Sequence, residues 1–487
     1  MAAMASRLSR AALSTLPPAI ARPAYDPAGT RVGIVHIGPG AFHRAHQAAY
    51  IDDLLGAHPD WALCGVSLHS AQVRDALAPQ DQLFTLALLG ERDTLRVIGS
   101  IRELLHGPTQ QAAVLARLAS PATRLVTLTI TEKGYCLAGE DLDFNHPDIA
   151  HDLAAPAVPR SAIGWLTAGL AARRARQLAP YTVLSCDNLA GNGRRLRRAT
   201  LQFAARLDPS LAKWIESEAA FPCSMVDSIT PATDAALRER VDDALGCVDA
   251  WPVQRETFTQ WVIEDGFCNA RPPLEQAGAT FSRDIAGYDR AKLRLLNGAH
   301  STLAYLGSLL DLGTVVDAMH AAPLARFVER LMRESILPVV ALPASLDGNA
   351  YIGAILERFR NPSIHHKLSQ IAWDGSQKLP VRLLPTIAEA LSQGHDIGAP
   401  CLSLAAWLQF VRRQARDGVP LVDPMDEILR AIGRACSGDA QADVAAFLQM
   451  DAVFGPLAGD ARFVAALRDA YAALGDGSTA AVAKALA

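Results

Sequence analysis

The stretch Arg31-Val-Gly-Ile-Val-His-Ile37-Gly38-Pro-Gly40-Ala-Phe-His-Arg44 decides the fold of this chain. Its first seven residues are a short, mostly apolar and β-branched run, the pattern of a strand buried on both faces. Gly38-Pro-Gly40 ends that run, a helix-like segment follows from about Phe42 to Leu55, and a second strand is expected from Trp61 to Leu68. Strand, glycine turn, helix, strand is the opening βαβ unit of a doubly wound parallel sheet. Two glycines let the backbone approach a pyrophosphate, and a helix N-terminus behind them favours its charge. The third glycine of G-x-G-x-x-G is absent, because position 43 is His. In this βαβ setting the turn reads as a dinucleotide site. An acid is expected after the second strand to hold a ribose hydroxyl, but the strand runs into Leu68-His69-Ser70 with no carboxylate before Asp75. That leaves NAD and NADP both open.

Outward from this unit, further strands are readable at Leu125–Ile130 and Tyr181–Ser185, with helical stretches at roughly 110–119 and 161–177. After about residue 285 the strand signals fade, and Ala/Leu-rich helical periodicity runs nearly to the end, broken at Pro338, Pro343, Pro362, Pro380 and Pro385. The expected architecture is α/β. It has a Rossmann-type doubly wound domain with an N-terminal arm over residues 1–284, then a mainly α-helical C-terminal substrate domain over residues 285–487.

With 487 residues, half of them hydrophobic, the chain is long enough for two real cores. A net charge of −4 and a pI near 6.4 leave no basic footprint for nucleic acid. The local run Arg194, Arg195, Arg197, Arg198 reads as a solvated helix face. Eight scattered cysteines, with no CxxC pair and no zinc-ligand spacing, read as reduced thiols of a cytoplasmic protein and disfavour a zinc alcohol dehydrogenase. No apolar run approaches the ~20 residues of a membrane span. The first 25 residues carry Arg7, Arg10 and Arg22 with no acid before Asp26, the charge pattern of a transit peptide. Pro17, Pro18 and Pro23, and the strand that follows, favour a simple arm.

The chemistry is concentrated in Lys292-Leu-Arg-Leu-Leu-Asn297-Gly-Ala-His300. At 100° per residue Asn297 lies about 140° round the helix from Lys292, and His300 about 80°, so all three fall on one broad side. An amine that can bend back toward an amide and an imidazole in a dry setting suits proton transfer at an alcohol. The plain alternative is a solvated lysine beside an Asn-Gly helix end. A lysine base working near neutral pH must titrate well below its free value of about 10.4, and Leu293, Leu295 and Leu296 supply apolar surroundings. Asp289 reads equally as a proton relay and as a surface acid. In two-domain dehydrogenases the active site commonly lies in the interdomain cleft, which suits the first helix of the second domain. Other polar segments are Thr129-Ile-Thr-Glu132-Lys133-Gly-Tyr135 and Ser185-Cys-Asp187-Asn188-Leu-Ala-Gly-Asn192, both at strand ends, and the loops Met225-Val-Asp227-Ser-Ile-Thr-Pro231 and Asp374-Gly-Ser-Gln-Lys378-Leu-Pro380. Each reads as a turn or as a holder of polyol hydroxyls. Glu132 and Lys133 either pair with each other or line the cleft.

GPGAFHRAHQ, TITEKGY, SCDNLAGNG, MVDSITP, QWVIEDGF, KLRLLNGAH and DGSQKLP occur in this order. From about residue 28 to about 415 the chain thereby resembles the polyol-specific long-chain dehydrogenases, the family of mannitol 2-dehydrogenase and fructuronate reductase. The resemblance implies that Lys292 is the general acid/base, that Asn188 and Asn297 hold the substrate oxygen, and that His300 binds substrate and positions the lysine. It also implies that Asp227 and Lys378 contact substrate, that Gly38, Gly40, Ala41, Phe42 and Arg44 form the cofactor loop, and that no metal takes part. The expected activity is NAD(P)-dependent interconversion of a linear polyol and its ketose, by a monomer or small homo-oligomer. Reduction of a keto-uronate such as fructuronate or tagaturonate to an aldonate is the alternative, and a non-catalytic sugar or dinucleotide sensor the outside one. Ser228 and Lys367 stand where an Arg is common in relatives, whereas the wording Gln370–Lys378 is nearer the fructuronate reductases.

Overall fold

A computed structural model describes residues 6–487. They form two compact units, one ending at Ala286 and one running from Gly287 to Ala487. In the first unit five parallel strands make one sheet, in the spatial order Ile101–His106, Ala62–Ser67, Val32–Ile37, Leu125–Leu128, Thr182–Ser185. The winding reverses between Val32–Ile37 and Leu125–Leu128, and the carboxyl ends of strands flanking such a switch point open a ligand crevice. Val35, Ile37, Val126, Leu128 and Val183 share one core with the helices Gln111–Leu118, Ala162–Ala175 and Asn192–Leu207. Ile34, Leu63, Leu125 and Leu184 face the opposite core, with Ile51 and Leu54 of the helix Gln47–Leu54. Coverage of both faces is why the inner strands are mostly apolar, whereas the edge strand Ile101–His106 carries Arg102 and Glu103.

The second core also takes side chains from two small sheets that the sequence reading did not pick out. One joins Val253–Glu256, Phe84–Leu89 and Thr94–Ile98, and the other Ser224–Asp227, Gln260–Glu264 and Thr280–Ser282. The helix expected from Phe42 to Leu55 is two helices, Ala41–Ala45 and Gln47–Leu54, broken at His46 with φ −115° and ψ −86°. The His46 side chain is held on both ring nitrogens at this break. Gln47 donates to Nδ1 at 3.0 Å, Nε2 donates to the Gln260 carbonyl at 3.1 Å, and the ring stacks on Phe42. The helix behind the glycine turn is therefore a little over one turn long, and its dipole contributes correspondingly little to anion binding.

The second unit is helical. The buried helix Gly298–Leu309 packs on the long helix Gly398–Arg416, which Asp426–Ala435 and Ala461–Ala473 also cover. The helix Ile285–Ala291 enters Gly298–Leu309 through a π-helical segment, Lys292–Asn297, and a second π segment, Leu331–Ile336, packs against the first.

Candidate active site

At the switch point Gly38 has φ +91°, and a Cβ on it would overlap the Thr129 carbonyl, so only glycine fits. The Thr129 hydroxyl donates to the Gly38 carbonyl at 2.8 Å, and Thr129 N–H donates to the Ile37 carbonyl at 3.0 Å, tying the two strand ends together. Beside them opens a cavity of about 430 Å³, lined among others by Gly38, His69, Thr129, Lys133, Arg160 and Ser161. Close backbone, hydroxyls and basic side chains at this edge fit a dinucleotide, whose phosphates are anionic. His69 lines the cavity just past the second strand, where a ribose-binding acid is absent. Gly40 precedes the helix Ala41–Ala45 as its N-cap, and half-buried Phe42 stacks on His46. Arg44, expected in the cofactor loop, lies on the helix Ala41–Ala45. It is 1% exposed, Nη1 donates to the Trp251 carbonyl at 2.6 Å, and the guanidinium lies 5.4 Å from the Phe84 and Trp251 ring centroids. Its charge is thus engaged in the core.

The neighbouring strand ends are braced by Asp187. Its carboxylate accepts from the backbone N–H of Ile130 and Thr131 at 2.9 and 2.8 Å and from the Tyr135 hydroxyl at 2.8 Å. Thr131 has φ +64°, a strained value for a residue with a Cβ, and the Asp187 bond holds it there. Burial pushes the Asp187 carboxyl up against the opposing pull of these donors. Asp187 does the turn-holding work of the SCDN segment, while the next residue, Asn188, is exposed. Asn192 is buried, donating to the carbonyls of Asp187 and Ser224. Lys133 lines the cavity and Glu132 is exposed. Asp227 ends its strand opposite Gln260 and is 6% exposed, and Ser228 donates to the Phe258 carbonyl at 3.0 Å.

In the second unit Lys292 is 8% exposed and begins the π segment. The N–H of Gly298 returns to the Leu293 carbonyl, five residues back. In an i→i+5 turn, the fifth residue takes the place above the first that the fourth takes in an α-helix. Asn297 therefore follows Lys292 up one face, closer than the 140° expected of an α-helix, and His300 stands one α-helical turn above Asn297. The far side of the segment is stapled by buried Arg294, which donates to the Thr386 hydroxyl and to the Glu389 carboxylate, each at 3.0 Å.

His300 packs against Phe359 and His366 with ring centroids 4.5 and 5.5 Å away. Among the described residues its buried Nε2 has no hydrogen-bond partner. Burial, then the charges of His366, Arg358, Arg382 and Lys378, hold its pKa well below the ordinary histidine value. Lys378 lies on the helix Gly375–Arg382 and donates to the Ile371 carbonyl at 3.3 Å, and burial lowers its pKa. At the end of that helix Arg382 donates to the Asn297 carbonyl at 3.5 Å and to the Ser301 hydroxyl at 3.1 Å. The sequence reading passed over Arg382, although its position four residues after Lys378 on one helix face was the available signal. Lys367 is exposed. Among the described residues no group of His, Cys, Asp or Glu is placed to hold a metal ion, and no helix is long and apolar enough to cross a membrane.

Known proteins resemble the chain along most of its length. Residues 32–276 match the family model of the mannitol dehydrogenase Rossmann domain, and residues 284–475 that of the mannitol dehydrogenase C-terminal domain. D-mannonate oxidoreductase of Escherichia coli is 40% identical over 469 residues, covering 94% of this chain and 96% of that protein. Mannitol 2-dehydrogenase of Neosartorya fischeri is 42% identical over 421 residues, 84% of each chain. Among solved structures, the Pseudomonas fluorescens mannitol 2-dehydrogenase ternary complex with NAD and D-mannitol superposes with a TM-score of 0.80 at 38% identity, covering 98% of this chain and 99% of that one.

Proposed function

The chain belongs to the mannitol dehydrogenase family, and from that premise we propose that it interconverts a linear polyol and its ketose with a nicotinamide dinucleotide. It is an oxidoreductase of secondary alcohols. NAD is the cofactor favoured by the complexed relative, and the missing acid beyond the second strand keeps NADP within reach of the same pocket. Gly38, Gly40 and the basic lining at the switch point are the residues we assign to holding the dinucleotide. When bound, the nicotinamide supplies the carbon that takes or returns the hydride.

The observation that carries this reading is the π turn, which stacks Lys292, Asn297 and His300 along one side of a buried helix. We assign Lys292 as the group that takes the hydroxyl proton as the alcohol becomes a carbonyl, and returns it in reduction. The carboxamide of Asn297 is assigned to donate to the oxygen on which negative charge develops, a contact worth roughly 2.7–4 kcal/mol per donor in oxyanion holes, and the family resemblance assigns Asn188 to the same kind of role. His300, kept neutral by burial, carries one donor and one acceptor nitrogen, and its unpartnered Nε2 is available to a substrate hydroxyl. Asp227 and Lys378 are assigned to contacts with the rest of the substrate chain. Reduction of fructose, fructuronate, tagaturonate and xylulose with NADH and NADPH tests the reading. Turnover of at least one pair is expected, and Lys292→Ala is expected to lower kcat by ~10²-fold or more. Inertness toward the whole panel, or wild-type turnover by that variant, would overturn it.

A further inference from the structure

We propose that Lys378 and Arg382 form a carboxylate-binding subsite, so that the preferred substrate of this chain is a polyhydroxy chain ending in an acid group. The inference rests on the proposed chemistry at Lys292 and names the member of the polyol class that the site takes. The two cations stand four residues apart on one face of the helix Gly375–Arg382, where like charges repel. Both are half-buried, and burial holds each below its ordinary pKa. Among the described residues neither has a carboxylate within the 4.0 Å of an ion pair. Asp374 and Asp423 favour the Lys378 charge from a distance, but neither pairs with either cation. Asp423 spends its oxygens on the backbone N–H and hydroxyl of Ser376 and on Met425 N–H, and Asp374 acts on Lys378 only from a distance. A fold that holds two desolvated cations together with no acid in contact suits an anion that comes from outside.

The geometry places that anion beside the proposed reacting centre. Arg382 spends only Nη1 on the chain, bonding the Asn297 carbonyl and the Ser301 hydroxyl on either side of His300. Its Nε and Nη2 edge makes no hydrogen bond among the described residues, and that edge suits bidentate carboxylate recognition. The unpartnered Nε2 of buried His300 feels both charges, which ties the cationic pair to the face of Lys292 and Asn297.

The test compares kcat/KM for NADH-dependent reduction of fructuronate and of fructose by the wild type, Arg382→Met, Arg382→Lys and Lys378→Met. The wild type is expected to favour the acid by at least ~10²-fold. Arg382→Met should collapse that ratio, chiefly through KM for the acid, and Arg382→Lys should restore part of it. Equal use of both substrates by the wild type, or an acid preference that survives in Arg382→Met and Lys378→Met, overturns the subsite while leaving the polyol reading in place. Inertness toward both substrates counts against the catalytic reading, and calorimetric titration then decides the subsite alone. Binding of D-mannonate but not mannitol, lost in Arg382→Met, supports it, and absence of binding refutes it.

Discussion

Gly38 shows how much one residue can state about this molecule. A positive φ of +91° and the Thr129 carbonyl where a Cβ would stand forbid any side chain there. Gly38→Ala is therefore expected to push the turn away from the strand ends it joins, weakening NADH binding by at least ~10-fold, because backbone approach to a pyrophosphate requires that space. Fluorescence titration of NADH measures the change, and an unaltered Kd would remove Gly38 from the cofactor loop. Gly38 was legible because a glycine between a strand and a helix has few other uses. Arg44, six residues on, was not. Its helix is five residues long and mixes apolar and polar residues, so periodicity does not say which face is buried, and cation–π and carbonyl contacts formed with Trp251 settle the matter only in the fold. Arg382 lay in plain view at i+4 from Lys378 but gained meaning only once no acid was found beside it.

Among the elements, the π segment Lys292–Asn297 departs furthest from the sequence reading. The spacing put Lys292, Asn297 and His300 on one broad side of a helix, but the angles it gave were those of an α-helix. An α-helix and a π turn share the same side chains and differ by one residue in the hydrogen-bond ladder, and π turns recur at functional sites. Tertiary contacts decide between them, here Arg294 held by Thr386 and Glu389 and a second π segment packed alongside. Similarly, four strands of the main sheet were readable because both faces are covered, but its edge strand Ile101–His106, which carries Arg102 and Glu103, was not. Val253–Glu256 pairs with Phe84–Leu89 far upstream, a partnership that no local pattern announces. The loop after Leu125–Leu128 is an element whose shape depends on one carboxylate. Asp187→Asn replaces an oxygen that accepts bonds by a donor facing backbone N–H groups or the Tyr135 hydroxyl. It is expected to cost about 1–3 kcal/mol of stability and to loosen Thr131. Urea denaturation and proteolysis within 129–135 measure both effects, and a variant as stable and as protected as the wild type would show that Asp187 is not the brace.

At the scale of the whole molecule, buried histidines link stability to pH. His36 and His43 are fully buried in the first unit, stacked with ring centroids 3.4 Å apart beneath the glycine turn, and His300 is buried in the second. Burial lowers all three, His36 to about 3 and the others well below the ordinary value. Below about pH 6.5 the unfolded chain takes up protons at these positions that the folded chain refuses, so stability falls as pH falls, by up to roughly 1.4 kcal/mol per pH unit for each histidine. The effect is absent above that window, where both states are neutral. The urea midpoint should therefore drop clearly between pH 7.5 and pH 5.5. His43 is the informative position, because neither ring nitrogen has a hydrogen-bond partner among the described residues. A phenyl ring there keeps the stack on His36 and removes one titrating group without breaking a bond. His43→Phe is expected to lessen the acid drop while leaving stability at pH 7.5 within about 1.5 kcal/mol of the wild type. A midpoint that is the same at both pH values in the wild type, or an acid drop undiminished in His43→Phe, would show that these rings are not what the fold protects from protons.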